Sequence, residues 1–318
     1  MKKHKTLYPP LVFNIFKPAR MTSYDVVRHF KRHLPQGFGK IGHFGTLDPF
    51  ASGVLMIGIA GAARLNDFIH EFLPKTYLAV GKLGVETPTG DLTVAPTQID
   101  DSRYLKEEIS RLPRQFIEEK LREKFLGDYW QAPHKYSAAK FEGRALHEWA
   151  REGVEIKKEQ VLRQVYDIKV VKYKFPYLSV RVTVSSGTYV RTQFADFAQY
   201  LGTLGTLVSL VRESVGNEVN FKNAIVKKNW PQDKSEEVMK FALPVNQVLP
   251  FQELQLNADQ EKTFKNGGFF KESAFSELRG QYFWVTSFET KRLLGLMYRK
   301  EGELRPKINF NSDELADL

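Results

Sequence analysis

Hydrophobic positions along this chain switch repeatedly between strand alternation and helical spacing. Leu11–Phe16 is an apolar run that predicts a strand, and Lys17-Pro18 stops it. Val26, Val27, Phe30 and Leu34 then share one helical face, so the spacing predicts a helix over residues 23–34. Thr22, with Asp25 three residues on, supplies a capping box at its start. Val54–Ile59 reads as a buried strand. Residues 62–72 return to helical spacing through Leu65, Phe68, Ile69 and Phe72. Lys75–Val85 predicts a strand with Tyr77, Ala79, Gly81, Leu83 and Val85 on one face.

A loop follows at residues 87–91, then a charged helical stretch at 103–126. Two more strands are predicted near Gln164–Lys174 and Leu178–Ser185. Ser186-Gly187 turns the chain into a helix, Tyr189–Leu201, with Phe194, Phe197, Ala198 and Leu201 facing inward. Thr206–Glu213 alternates as a strand. After a helix at Ser235–Phe241 and Pro244 the composition changes. A helix at Asp259–Lys265 and strands at Tyr282–Phe288 and Leu293–Arg299 outline a β-rich appendage of about 70 residues, stable only if docked on the main body.

Charge adds a direction to this outline. The net charge is +10, and residues 1–47 carry nine Lys or Arg against one acid, Asp25. Residues 244–318 carry ten basic and eleven acidic side chains. Solubility does not require such polarisation, so nucleic acid is the favoured partner. Lys2, Lys3 and Lys5 form a basic arm, and Arg28, Lys31 and Arg32 line the polar face of the first helix as a solvated surface or an RNA rail. Between Gly127 and Gly153, Trp130, Pro133, Tyr136 and Trp149 interleave with Lys135, Lys140, Arg144 and Arg151. That mixture suits stacking on unpaired bases with phosphate contacts, or a packed helical hairpin. The absence of cysteine excludes disulfides and Cys-ligated metal, and fits a reducing compartment. The only apolar run near the N-terminus is too short for a signal peptide or a membrane span, so a soluble cytoplasmic protein is expected. The seven histidines show no zinc-site spacing.

Candidate chemistry centres on Asp48. It precedes Pro49, which restricts it to extended backbone, and Gly42, Gly45 and Gly53 leave the surrounding chain free to bend. A carboxylate on a tight loop at the mouth of a buried strand is a candidate nucleophile or general base; it is equally a turn residue capping that strand. Arg191 falls in the first turn of its helix, where a cation opposes the dipole, so an anion elsewhere is its expected partner.

Several segments together resemble the bacterial tRNA pseudouridine synthase B family. Lys17-Pro-Ala-Arg-Met-Thr-Ser is similar to its opening K-P-x-G-x-T-S. Gly42-His-Phe-Gly-Thr-Leu-Asp-Pro-Phe-Ala-Ser-Gly-Val-Leu resembles its G-H-x-G-T-L-D-P-x-A-x-G-x-L signature, and Lys75-Thr-Tyr its K-x-Y element. Pro133-His-Lys-Tyr-Ser-Ala-Ala-Lys, with Gly143 and Ala150-Arg-Glu-Gly, resembles its RNA-gripping insertion, and Ser186-Gly-Thr-Tyr-Val-Arg its S-x-G-T-Y-I-R element. Leu294-Gly-Leu-Met-Tyr with Arg305-Pro is a weaker echo of its RNA-binding C-terminal module.

The resemblance implies an α+β pseudouridine synthase fold with a central mixed, mostly antiparallel sheet. It implies a catalytic domain over residues 1–243, with an RNA-gripping insertion at about 127–153, and a small β-rich, PUA-like RNA-binding module over 244–318. It further implies isomerisation of uridine 55 in the tRNA T loop to pseudouridine, without cofactor or metal, by a monomer that binds the T stem-loop and no membrane. Asp48 would be the nucleophile, at ribose C1′ or uracil C6. Tyr77 would stack on the base and assist proton removal, and Arg191 would pair with Asp48. His43, Tyr77, Tyr189 and Leu210 would bind the flipped nucleotide.

Four departures bear on RNA contacts. Arg20 stands where glycine is common, which implies a different turn or an added phosphate contact. Pro88 replaces an acid of T-D-T-x-D, the stretch ending at Thr206 lacks the G-x-G-A-H ending, and Val211 stands within L-R-R. Two other readings stay open. One is a related synthase acting on another RNA, such as the guide-directed type. The other is a tRNA-binding folding helper with a dispensable catalytic step.

Overall fold

The protein is described by a computed structural model covering residues 7–133, 140–145, 148, 149, 152, 154, 156 and 159–310. The basic arm Lys2, Lys3 and Lys5, and Lys135, Tyr136, Arg151 and Gly153 of the aromatic-basic segment, lie outside the described residues.

In chain order the main elements are β1 (Leu11–Lys17), α1 (Ser23–His33), β2 (Ile41–His43), β3 (Ser52–Ile59), α2 (Asn66–Phe72), β4 (Lys75–Leu83), α3 (Arg103–Glu107), α4 (Arg114–Phe125) and β5 (Gly127–Gln131). They continue as β6 (Val161–Lys174), β7 (Tyr177–Val184), α5 (Val190–Tyr200), β8 (Gly205–Val215) and β9 (Ala242–Pro244). A second group follows: β10 (Gln252–Leu256), α6 (Ala258–Lys265), β11 (Tyr282–Ser287), β12 (Leu293–Lys300) and β13 (Glu303–Asn309).

A 10-stranded sheet runs β9-β1-β3-β8-β4-β7-β6-β5, with β2 and Val219–Asn220 paired at its side. All pairings are antiparallel except β3 with β8, where Val211 lies opposite Ser52 and Arg212 opposite Gly53. That parallel seam lies between the third and fourth strands of this order. The expected mixed, mostly antiparallel α+β architecture is the one observed.

The unbroken apolar run in β3 has a simple cause. Leu55, Ile57 and Ile59 face a core covered by α1, α4 and α5, whereas Val54 and Met56 face a second core on the other side. α1 starts as its sequence predicts, with Thr22 and Asp25 forming the reciprocal cap, and buries Val26, Val27 and Phe30. α5 lies close over β4 because position 81 is glycine: a Cβ there would stand 2.1 Å from the Phe194 ring.

The second core joins this sheet to a smaller five-stranded one, ordered β10-β11-β12-β13 with Phe270–Lys271 at its edge. Val12, Phe44, Leu65 and Phe68 of the main body pack in one cluster with Trp284, Leu296, Ile308 and Phe310. Phe68 meets Tyr282 edge-on at 5.0 Å, and Phe72 meets Phe251 at 5.1 Å. The small sheet therefore supplies the cover for one face of the large one.

Three local expectations are corrected. The predicted helix over 62–72 opens as a 3₁₀ segment, Ala60–Leu65, after Ala60 adopts φ 53°, and becomes α-helical only from Asn66. The stretch 103–126 breaks before Pro113 into α3 and α4. The predicted helix at 235–241 is 3₁₀. In the insertion, Lys140–Phe141 pairs with Arg144–Ala145 as a tight two-stranded turn where a packed helical hairpin was one of two readings.

Candidate active site

Asp48 sits in a loop held from three directions. The buried Lys17 ammonium donates to the carbonyls of Pro18 at 3.0 Å, Met21 at 2.8 Å and Ala51 at 2.6 Å, so it ties the opening motif to the Asp48 loop. Ser23 accepts from the Leu47 amide at 2.9 Å and donates to the Leu47 carbonyl. Arg212, buried at 2% exposure, donates through Nε to Val54 O at 2.7 Å and through Nη2 to Gly45 O at 3.1 Å, pinning both flanks. Gly53 is required at this seam: its φ is 112°, and a Cβ would lie 2.2 Å from Arg212 O. Lys17→Met should leave three carbonyls without their donor and cost about 3 kcal/mol of folding free energy, read from urea midpoints.

Arg191 closes the site. Its Nε lies 2.8 Å from Asp48 Oδ2 and its Nη2 donates to Oδ1 at 3.1 Å, a fork-on-fork pair. The guanidinium is 5% exposed and the carboxylate side chain 35%, so the pair is rooted in protein and open at the carboxylate. Arg191 Nη1 also donates to Thr89 O at 2.7 Å. The anion that relieves this first-turn cation is Asp48. Burial raises the Asp48 pKa, and the Arg191 charge and hydrogen bond pull it back.

The departures at Pro88 and Thr206 meet in the loop carrying Thr89. Thr87 Oγ1 donates to Asp91 O at 2.8 Å and lies 2.9 Å from the buried Thr206 hydroxyl, which holds the loop shape. Arg20 keeps the turn glycine would favour: its φ is 67°, and its amide donates to Pro49 O at 2.7 Å. Arg20→Gly should therefore raise stability by about 0.5–1 kcal/mol, measured by urea denaturation.

The other sequence candidates gather around the seam to different degrees. Tyr77 is 9% exposed, opposite Arg212 of β8 and Val182 of β7. Leu210, 5% exposed, lies opposite Ala79 and so is the diagonal neighbour of Tyr77. Tyr189 is half-buried where the chain enters α5. His43 lies on β2 opposite Ile57. Its Nδ1 is buried without a partner, and burial followed by the Arg212 charge lowers its pKa.

Sequence reasoning missed three positioning residues: Lys17, Arg212 and Gln131. The buried Gln131 amide clamps the Tyr189 backbone, accepting from Tyr189 N at 2.8 Å and donating to Tyr189 O at 3.0 Å. Lys17 and Arg212 carried a signal. Each follows apolar residues within a strand, a place a charge holds only with several acceptors. Gln131 carried none, since its partner is backbone far along the chain. Among the described residues no cluster of three or more His, Cys, Asp or Glu is arranged to hold a metal.

Residues 31–190 match the family described as TruB family pseudouridylate synthase (N terminal domain). The chain is 35% identical over 298 residues to tRNA pseudouridine synthase B of Clostridium kluyveri, covering 92% of this chain and 97% of that one. It is 33% identical to tRNA pseudouridine synthase B of Oenococcus oeni, covering 92% and 94%. Among solved structures, a chain of a Cbf5-Nop10-Gar1 complex superposes with TM-score 0.64 at 20% identity, over 96% of this chain and 86% of that one. At that identity the likeness speaks for the fold.

Proposed function

Because the chain belongs to the TruB family of pseudouridylate synthases, we propose that it isomerises uridine 55 in the T loop of tRNA to pseudouridine, with Asp48 as nucleophile. The observation that carries this reading is the two-point pairing of Arg191 with a carboxylate that still faces solvent. The pairing orients Asp48 and offsets the burial that would otherwise favour its protonation. An ionised, aimed carboxylate is what attack at ribose C1′ or uracil C6 requires. The glycosidic C–N bond then breaks, the base turns, a C–C bond forms from C5 to C1′, and the bond to Asp48 breaks to return the free carboxylate. Loss of the C5 proton and gain of one at N1 restore the count of atoms, so the reaction consumes no co-reactant.

The reacting atoms are covered while the base is stacked in the loop, so the nucleotide must swing out. Tyr77 offers the uracil a face and a phenol for the final proton transfer. Leu210, its diagonal neighbour, and Tyr189 line the base pocket, and His43 fills the space the nucleotide leaves. Residues 127–153 grip the RNA from one side. Their described part shows Trp130 at 60% exposure and the Arg144 guanidinium 4.5 Å above Trp149. The unit 244–318 is the second RNA contact, the unit 1–243 carries the chemistry, and the protein acts as a monomer in the cytoplasm. No described helix is long and apolar enough to cross a membrane.

Identity of 33–35% over nearly the whole of two tRNA pseudouridine synthases B favours tRNA over a guide-directed target. The test is incubation with unmodified tRNA and with a transcript carrying cytidine at position 55. Pseudouridine is expected in the first only; equal modification of both would remove the assignment. Binding should also weaken steeply with salt, as released counterions predict, by about tenfold or more between 50 and 200 mM. A flat salt response in a filter-binding series would count against the basic N-terminal surface.

A further inference from the structure

A group of basic side chains gathers around Ser186, at the turn that leads into α5. The Lys75 ammonium, 3% exposed, donates to Ser186 Oγ at 2.8 Å and to the carbonyls of Leu73 and Ile69. Ser186 Oγ lies 2.5 Å from His70 Nδ1. Ser186 Oγ therefore accepts from Lys75 and shares a hydrogen bond with His70 Nδ1.

Two guanidinium groups complete the ring. Arg163 Nη1 donates to Ser186 O at 3.3 Å, and its guanidinium lies 3.1 Å from the place a Cβ on Gly187 would take. Arg212 Nη1 and His70 Cε1 each stand 3.6 Å from the place a Cβ on Gly45 would take. Gly45 and Gly187 have φ of 92° and 80°, so both turns favour glycine.

Among the described residues, none of Lys75, Arg163 and Arg212 is in a salt bridge. The buried Nε of Arg163 and Nδ1 of the neighbouring His43 have no hydrogen-bond partner. The carboxylate that acts on His70 is Asp67, an exposed residue of α2. Burial and then the Arg212 charge lower the Lys75 pKa to about 7, and the buried polar atoms without partners call for an explanation. A bound anion supplies one. Two forked guanidinium groups beside an imidazole match the oxygens of a phosphodiester.

We propose that the cleft between the Gly45 turn and the Ser186–Gly187 turn is a phosphodiester-binding site that seats a backbone phosphate next to the target nucleotide. The inference rests on the RNA substrate proposed above. Its position follows from the chain: Gly45 is three residues before Asp48, and Ser186 is three before Tyr189. A phosphate held there fixes the backbone on one side of the swung-out uridine while leaving the base free to turn.

The test changes the RNA as well as the protein. Wild type and the Arg163→Gln/His70→Gln double variant are titrated with T-arm RNAs in which one phosphodiester at a time around uridine 55 is an uncharged methylphosphonate. At one position the replacement should weaken wild-type binding about tenfold, and the double variant by less than about twofold. The salt slope of the double variant should fall by about one. Equal losses in both proteins at every position would overturn the site. So would wild-type binding indifferent to all replacements while the RNA is still isomerised. Failure of wild type to isomerise the unsubstituted RNA would instead overturn the proposed function.

Discussion

Asp48→Asn is expected to lose isomerisation by more than about 10⁴-fold while binding tRNA nearly as well as wild type, the scale on which removing a covalent nucleophile acts. The substitution is close to isosteric, and the amide oxygen can still accept from Arg191. The loop itself is held by Lys17, Ser23 and Arg212, none of which contacts the Asp48 carboxylate. Folding should survive with a small net change in stability at neutral pH. Burial raises the folded-state pKa of Asp48, so removing its charge favours folding above its unfolded value, whereas Arg191 loses its counter-charge and one of its two acceptors, which opposes that gain. Single-turnover rates on unmodified tRNA, beside filter binding and thermal unfolding, check all three expectations. Retained turnover would end the nucleophile assignment.

Arg191→Ala should be the second most damaging change, lowering the rate constant by about 10²–10³-fold near neutrality. Two effects combine. Asp48 loses the fork that aims it, and the burial that raises its pKa is no longer opposed. The acid limb of the pH–rate profile should therefore move to higher pH, and raising the pH should recover part of the rate. Arg191→Lys keeps a charge but loses the fork and the reach to Thr89 O, so it should show a smaller shift of the same sign. Rates from about pH 5 to 9 measure this. An unmoved acid limb would show that Arg191 does not set the ionisation of Asp48.

What the sequence disclosed follows from how local each signal was. The strong periodicities of α1, β3, β4 and α5 needed only neighbouring residues to be read. Arg191 was legible through a conflict, a cation in a helix's first turn, and its partner emerged 143 residues away. Elements with mixed polarity escaped: Gln252–Leu256 and Glu303–Asn309 alternate charged or amide side chains with few apolar ones, and Pro306 falls at a register shift. The supports of the site escaped for another reason. Lys17, Gln131 and Arg212 act on backbone atoms, which every residue possesses, so no residue type marks their targets. The Asp48 turn was visible as a turn from the start; its partners came from segments that only the β3–β8–β4 seam and the entry to α5 bring together.

The central claim, that this chain makes pseudouridine at one place through Asp48, meets its most direct test in a position-resolved map. Unmodified tRNA is incubated with wild type and with Asp48→Asn, and pseudouridine is mapped nucleotide by nucleotide. Pseudouridine at position 55 alone with wild type, and at no position with Asp48→Asn, is the result predicted. Pseudouridine at position 55 from both proteins, or at other positions from wild type with none at 55, would contradict it.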